Sequence, residues 1–186
     1  MNRRQMLARA ADALAAWNRG DPDGIVVNVA QDVIWRDVAL GMPLHGREAL
    51  KAAAQAYMTA FPDLHIEETS STLAIPRLAQ EVTITGTHRG ELLGVPPTGR
   101  WTESYAAVIT TFDEDGMMIE GALYWNALAL MCQLGVIPPL GAGQIAGTAT
   151  TTAIRPSNPA ASAAARSLRA AQLGGATTRS RSPAAT

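Results

Sequence analysis

Cysteine is almost missing from this sequence: Cys132 is the only one in 186 residues. No disulfide can form within the chain, so its fold has to rest on a hydrophobic core, and the composition suits a reducing compartment. Long apolar runs are missing as well. No stretch of about 18 apolar residues occurs, so no transmembrane helix is expected. Arg3 and Arg4 stand near the start, but Arg9 and Asp12 interrupt any apolar signal core behind them. A cytoplasmic protein is expected. Strong net charge is absent too: the formal balance is −1, which argues against a nucleic-acid binder or a protein held at a membrane surface. His45 and His65 stand apart from cysteines and carboxylates at ligand spacing, so no metal site is expected.

What is present is divided unevenly. All 16 acidic residues lie at or before Glu120, beside ten of the 15 basic ones, so the first 120 residues carry −6 and the rest +5. No aromatic residue follows Trp125. After Pro139 the chain is mostly Ala, Thr, Ser, Gly, Pro and Arg, with few bulky apolar residues and too little apolar surface to offset the entropy of ordering it. The expectation is one domain over 1–139 and a disordered tail over 140–186. Its five scattered arginines offer nucleic acid only weak, salt-sensitive contact, so no nucleic-acid partner is expected.

Within the domain the apolar period changes along the chain. Leu7, Ala10, Ala11, Leu14 and Trp17 recur at helical spacing and predict a helix over 3–18, ended by Gly20. Asp21 and Pro22 suit the cap and first position of a short helix over 22–30. A strand is expected over 32–38, then a helix over 47–61 stopped by Pro62. Strands follow over 64–73, 80–88, 101–112 and 117–125, the last two joined by the hairpin signal Asp113-Glu114-Asp115-Gly116. Asn126 is placed to cap a final helix over 127–134, with Gly135 as its stop. Helices grouped ahead of antiparallel strands predict an α+β fold. A bent sheet wrapped over helices leaves a conical cavity, a place for a small apolar or aromatic ligand.

Two stretches carry a family likeness. One runs from Thr85 to Arg100 and contains His88-Arg89-Gly90-Glu91-Leu92-Leu93-Gly94. The other is Tyr124-Trp125-Asn126, followed by Gln133-Leu134-Gly135-Val136-Ile137-Pro138. Trp35-Arg36-Asp37, Gly46-Arg47-Glu48 and Phe61-Pro62-Asp63-Leu64 add to it. Over roughly residues 5–138 the chain resembles the SnoaL-like polyketide cyclases, or ester cyclases, of the nuclear-transport-factor-2-like superfamily. The resemblance implies a cone-shaped barrel, a curved antiparallel sheet wrapped over the N-terminal helices. It implies intramolecular aldol ring closure of an aromatic polyketide, with no metal or organic cofactor. In such chemistry a carboxylate in an apolar pocket removes a proton flanked by carbonyls, and nearby donors hold the enolate. It also implies a homodimer or higher homo-oligomer through the outer sheet face.

The chain departs from the family pattern where that chemistry is centred. The cyclases carry their acid/base aspartate twelve residues before the glycine of the Gln-Leu-Gly motif, and this position holds Leu123. A histidine and a glutamine of the preceding strand correspond to Val108 and Ala106, and an aspartate frequent in other members corresponds to Asn126. Acid/base work then falls to other groups. His88 has an imidazole suited to proton exchange near neutrality, or to bonding the loop it enters. Asp37 is either the replacement base or a group that satisfies loop donors before Pro43. Trp35, Tyr57, Phe61 and Trp125 are expected against a flat ligand, with Val108 and Leu123 as apolar wall; core packing is the alternative. Asn126 either bonds a ligand carbonyl or caps its helix, and Tyr105 and Tyr124 fall on the outer face. Three readings of function follow: a polyketide cyclase that enolises and closes a ring, a non-catalytic small-molecule-binding or accessory protein, and a hydroxylase or isomerase relative.

Overall fold

Four helices and six strands lie along residues 2–138, the residues that the computed structural model describes; the tail expected over 140–186 lies outside them. The order is α1 (Arg3–Asn18), α2 (Pro22–Val26), β1 (Val29–Asp37), β2 (Pro43–His45), α3 (Arg47–Ala60), β3 (His65–Ala74), β4 (Arg77–Thr87), β5 (Trp101–Phe112), β6 (Met118–Trp125) and α4 (Ala127–Leu134). The α+β class is as the sequence predicts, and so are the local devices. Asp21 caps α2 by accepting from the Gly24 N–H at 2.8 Å, with Pro22 in the first turn. Asn126 caps α4 through the Ala129 N–H at 2.9 Å, and Gly135 closes it at φ 78°. In the β5–β6 turn the Asp113 carboxylate accepts from the Met117 N–H at 2.7 Å.

The elements differ from the expectation where tertiary pairing overrides local pattern. α2 stops at Val26, and β1 begins at Val29, paired with Met118. β2 was not anticipated: three residues starting at a proline are too short to show alternation, and they make an edge strand. The sheet order is β2-β1-β6-β5-β4-β3. Every pairing is antiparallel except β1 with β6, which run parallel. The long connection through α3 and four strands permits that arrangement, because parallel neighbours need a crossover. The sheet curves but does not close, so β2 and β3 remain its edges.

Two side chains cover exposed ladder groups. Asn18, at the end of α1, accepts from the Ile66 N–H at 2.7 Å and donates to the Ile66 carbonyl at 2.9 Å, tying α1 to the edge strand β3. Gln133 does the same for Glu103 at 2.9 and 2.8 Å, beyond the point where β6 has ended opposite Ala106. Leu134 is buried, and a Cβ on Gly135 would meet the Arg100 guanidinium at 2.7 Å. The Gln-Leu-Gly triplet is therefore an architectural clamp. The concave side of the sheet meets α1, α2 and α3 through Ala16, Ile25, Val26, Val33, Leu50 and Ala54. A second cluster, including Phe61, Leu92 and Leu130, joins the end of α3 to α4.

Candidate functional site

Side chains alternate across a strand, so every second residue of β1, β6, β5 and β4 faces the concave side. Register decides which of them meet. Asp37 lies opposite Leu123, Leu123 opposite Val108, and Val108 opposite Gln80. These four form one row across four strands: a carboxylate, two apolar side chains, an amide. The next row is Trp35, Gly121, Thr110 and Leu78. A Cβ on Gly121 would meet the Trp35 ring at 2.3 Å, so the indole lies over bare backbone there. The rows, with α1 and α3 opposite, enclose a largely apolar cavity of about 250 Å³.

Asp37 is the ionisable group set deepest in this wall, only 4% exposed. Its Oδ2 accepts from the Tyr57 hydroxyl at 2.9 Å. Its Oδ1 accepts from Trp125 Nε1 at 2.7 Å and from the Ala39 N–H at 3.2 Å. Three elements thus converge: β1 brings the carboxylate, α3 the phenol and β6 the indole. Burial in the first place, and then the charge of Asp37 and its hydrogen bond, push the Tyr57 hydroxyl far above its usual pKa, so it stays protonated. The carboxylate is held at a fixed place in an apolar wall, with a neutral hydroxyl beside it. Such a pair can exchange a proton with a bound molecule and offer a donor to an oxygen on it.

The structure separates the sequence candidates. Trp35, Asp37, Tyr57, Phe61, Val108, Leu123 and Trp125 line the cavity; His88 and Asn126 do not. His88 is fully buried in the loop packing instead. Its Nδ1 accepts from the Thr98 N–H at 3.2 Å, and its ring meets Phe61 at a centroid distance of 5.3 Å. That leaves the ring proton on Nε2, which has no partner among the described residues. Burial lowers the pKa of His88, keeping it neutral. The loop-bonding role is the one this geometry serves. Asn126 serves as the α4 cap, and Glu91 is exposed on its loop. Asp37 combines both of its expected roles, bonding the loop through Ala39 and facing the cavity.

Some members of the site escaped sequence reasoning. Trp125 was expected as aromatic surface, yet it donates to Asp37 across 88 positions of sequence. Gln80 and Thr110 were passed over, although both line the cavity. A signal for them existed: each is polar between two apolar residues of the same strand parity, Gln80 between Leu78 and Val82, Thr110 between Val108 and Phe112. Among the described residues, no group of three or more His, Cys, Asp or Glu side chains gathers as a metal site. No helix among them is long and apolar enough to cross a membrane.

Comparison with known proteins bears on the family. A family profile described as SnoaL-like polyketide cyclase matches residues 6–134. No curated protein matches the sequence significantly. Among solved structures, AclR, a proposed hydroxylase from Streptomyces galilaeus, is 26% identical over 92% of this chain and 96% of its own, with a TM-score of 0.66. IdmH, a proposed polyketide cyclase from Streptomyces antibioticus, is 24% identical over 70% of this chain and 99% of its own, with a TM-score of 0.62. A proposed SnoaL-like polyketide cyclase from Jannaschia sp. CCS1 is 19% identical over 72% and 94%, with a TM-score of 0.66. The last two show a shared fold alone.

Proposed function

The chain belongs to the SnoaL-like polyketide cyclase family, and from that membership we propose that it is a cofactor-independent enzyme that enolises and closes a ring in an aromatic polyketide-like substrate. The observation that carries this reading is the place of Asp37. The family's acid/base position holds Leu123, and Asp37 is its direct partner on the neighbouring strand. A carboxylate moved one strand along the same row still faces the same cavity. Parallel neighbours are about 4.8 Å apart, so the substrate carbon has to shift by no more than that.

In this reading Asp37 takes a proton from a carbon flanked by two carbonyls. The C–H electron pair becomes the enolate. Protonation turns the Asp37 carboxylate into a carboxylic acid, a weaker acceptor, and the Tyr57 hydroxyl is freed to donate to the enolate oxygen. The enolate carbon attacks a second carbonyl of the same molecule, and Asp37 returns its proton to the new alkoxide. Atoms and charge balance without a co-reactant. Leu123 and Val108 form the apolar floor that keeps water from the enolate.

The test is exchange of the acidic C–H of an aromatic 1,3-diketone in deuterium oxide, followed by NMR. Wild-type protein is expected to accelerate it and Asp37→Asn to lose the acceleration. Binding of the diketone with no acceleration by wild type would refute catalysis and leave the binding-protein reading. The likeness to AclR favours a second reading, hydroxylation. Product mass separates the two, because ring closure adds no oxygen and hydroxylation adds one. The exposed Trp101, Tyr105 and Tyr124 support a homodimer through the outer sheet face. The lone cysteine supports a reducing, cytoplasmic setting.

A further inference from the structure

The row that begins at Asp37 ends at Gln80, three strands away, or about 14 Å along the sheet at the usual strand spacing. The cavity therefore has a second polar pole, on β4 and β5, that the proposed chemistry leaves unused. Gln80 is buried, and its Nε2 donates to Glu68 Oε2 at 2.5 Å. Glu68 lies on the same concave parity of β3, opposite Val82, at the open edge of the sheet. An ionised carboxylate only accepts, so it dictates which end of the amide faces it. The Gln80 amide nitrogen is drawn to Glu68, and its Oε1 is turned the other way as a fixed acceptor.

Thr110 stands diagonally across from Gln80, one concave position further along β5. Its hydroxyl is buried and has no hydrogen-bond partner among the described residues. An orphaned buried hydroxyl is destabilising, and rotation about χ1 exchanges its place with the methyl. A ligand group arriving at this pole would supply the missing partner. Between the poles the floor is Leu123 and Val108, with Trp35 lying over Gly121 beside them. This is a bed for a flat apolar body with oxygen at each end.

We infer that Gln80, oriented by Glu68 and assisted by Thr110, is a specificity-determining residue that reads a hydroxyl group on the end of the ligand remote from Asp37. The ligand hydroxyl donates to Gln80 Oε1 and accepts from the Thr110 hydroxyl. Glu68 is a positioning residue, since it acts through Gln80. The inference rests on the reading of this cavity as the substrate site.

The test uses full-length protein and two probes, a dihydroxyanthraquinone and anthraquinone itself, with binding followed by quenching of tryptophan fluorescence. Wild type is expected to prefer the hydroxylated probe by about tenfold, which corresponds to about 1.4 kcal/mol. Gln80→Leu and the near-isosteric Thr110→Val are each expected to remove most of that preference. Glu68→Gln keeps the shape of the contact but lets either end of the Gln80 amide face it, so it too is expected to reduce the preference. Retention of the preference in Thr110→Val and in folded Gln80→Leu would overturn the inference. Failure of wild type to bind either probe would overturn it together with the substrate-site reading. Deuterium exchange that survives in both variants while the preference also survives would overturn the inference alone.

Discussion

Asp37 shows how one residue acquires a role its sequence neighbours do not confer. Its Ala39 contact is an ordinary local turn bond, while Tyr57 and Trp125 come from 20 and 88 positions away. Asp37→Asn preserves shape but not charge. It is expected to lower the exchange rate by about 10²- to 10⁴-fold, the usual range for a general base, with little change in melting temperature; calorimetry beside the NMR assay checks both. His88 gives a different prediction, about stability. Burial lowers its pKa in the folded protein, whereas the unfolded chain binds a proton with a pKa of about 6.5. Its contribution is therefore complete above about pH 6.5 and is lost as pH falls from there through the lowered folded value. Thermal unfolding between pH 8 and pH 5 is expected to show this loss in wild type and a flatter profile in His88→Gln.

At the scale of elements, strand rows build the site, and the rows depend on close approach. Gly121 of β6 admits the Trp35 ring of β1, whose Cε3 and Cζ3 atoms would sit 2.3 and 2.4 Å from any Cβ. Gly121→Ala must displace the indole, and cavity space is what it would move into. The expected result is a loss of stability of about 1–3 kcal/mol, the range for overpacking, together with weaker quinone binding. Denaturant unfolding and fluorescence titration of the same variant check the two effects separately. The loop before β5 meets a similar limit. The Arg89 and Gly90 N–H groups both donate to the Ala60 carbonyl, and a Cβ on Gly90 would stand 2.2 Å from the Thr59 carbonyl oxygen. A glycine is needed there because the loop seals the end of α3 by backbone contact. These positions explain why the family's Gly-rich stretch is legible in sequence although it holds no cavity-lining candidate apart from Thr85 and Gly86.

At the scale of the whole molecule, the curved sheet has two faces with different fates. The concave face is consumed by the core and the cavity. The convex face leaves Trp101, Tyr105 and Tyr124 exposed, Tyr105 at 71%. Exposed aromatics on one sheet face suit burial against a second copy. Wild type is expected to sediment as a dimer, and Tyr105→Glu combined with Tyr124→Glu as a monomer that still binds quinone; a monomeric wild type would refute the dimer. How much of this was legible in the sequence follows from the range of the forces involved. Helix periodicity, the Asp21 and Asn126 caps, the Gly135 stop and the Asp113–Gly116 turn each depend on residues a few positions apart, so the sequence by itself determined them. It also determined the fold class and the family, through motifs such as Gln133-Leu134-Gly135. Only the tertiary structure decided that β1 lies parallel to β6, that Asp37 faces Leu123, and that Gln80 closes the same row. Register is chosen by the burial of whole strands, and a slip of one residue would send every one of those side chains to the other face.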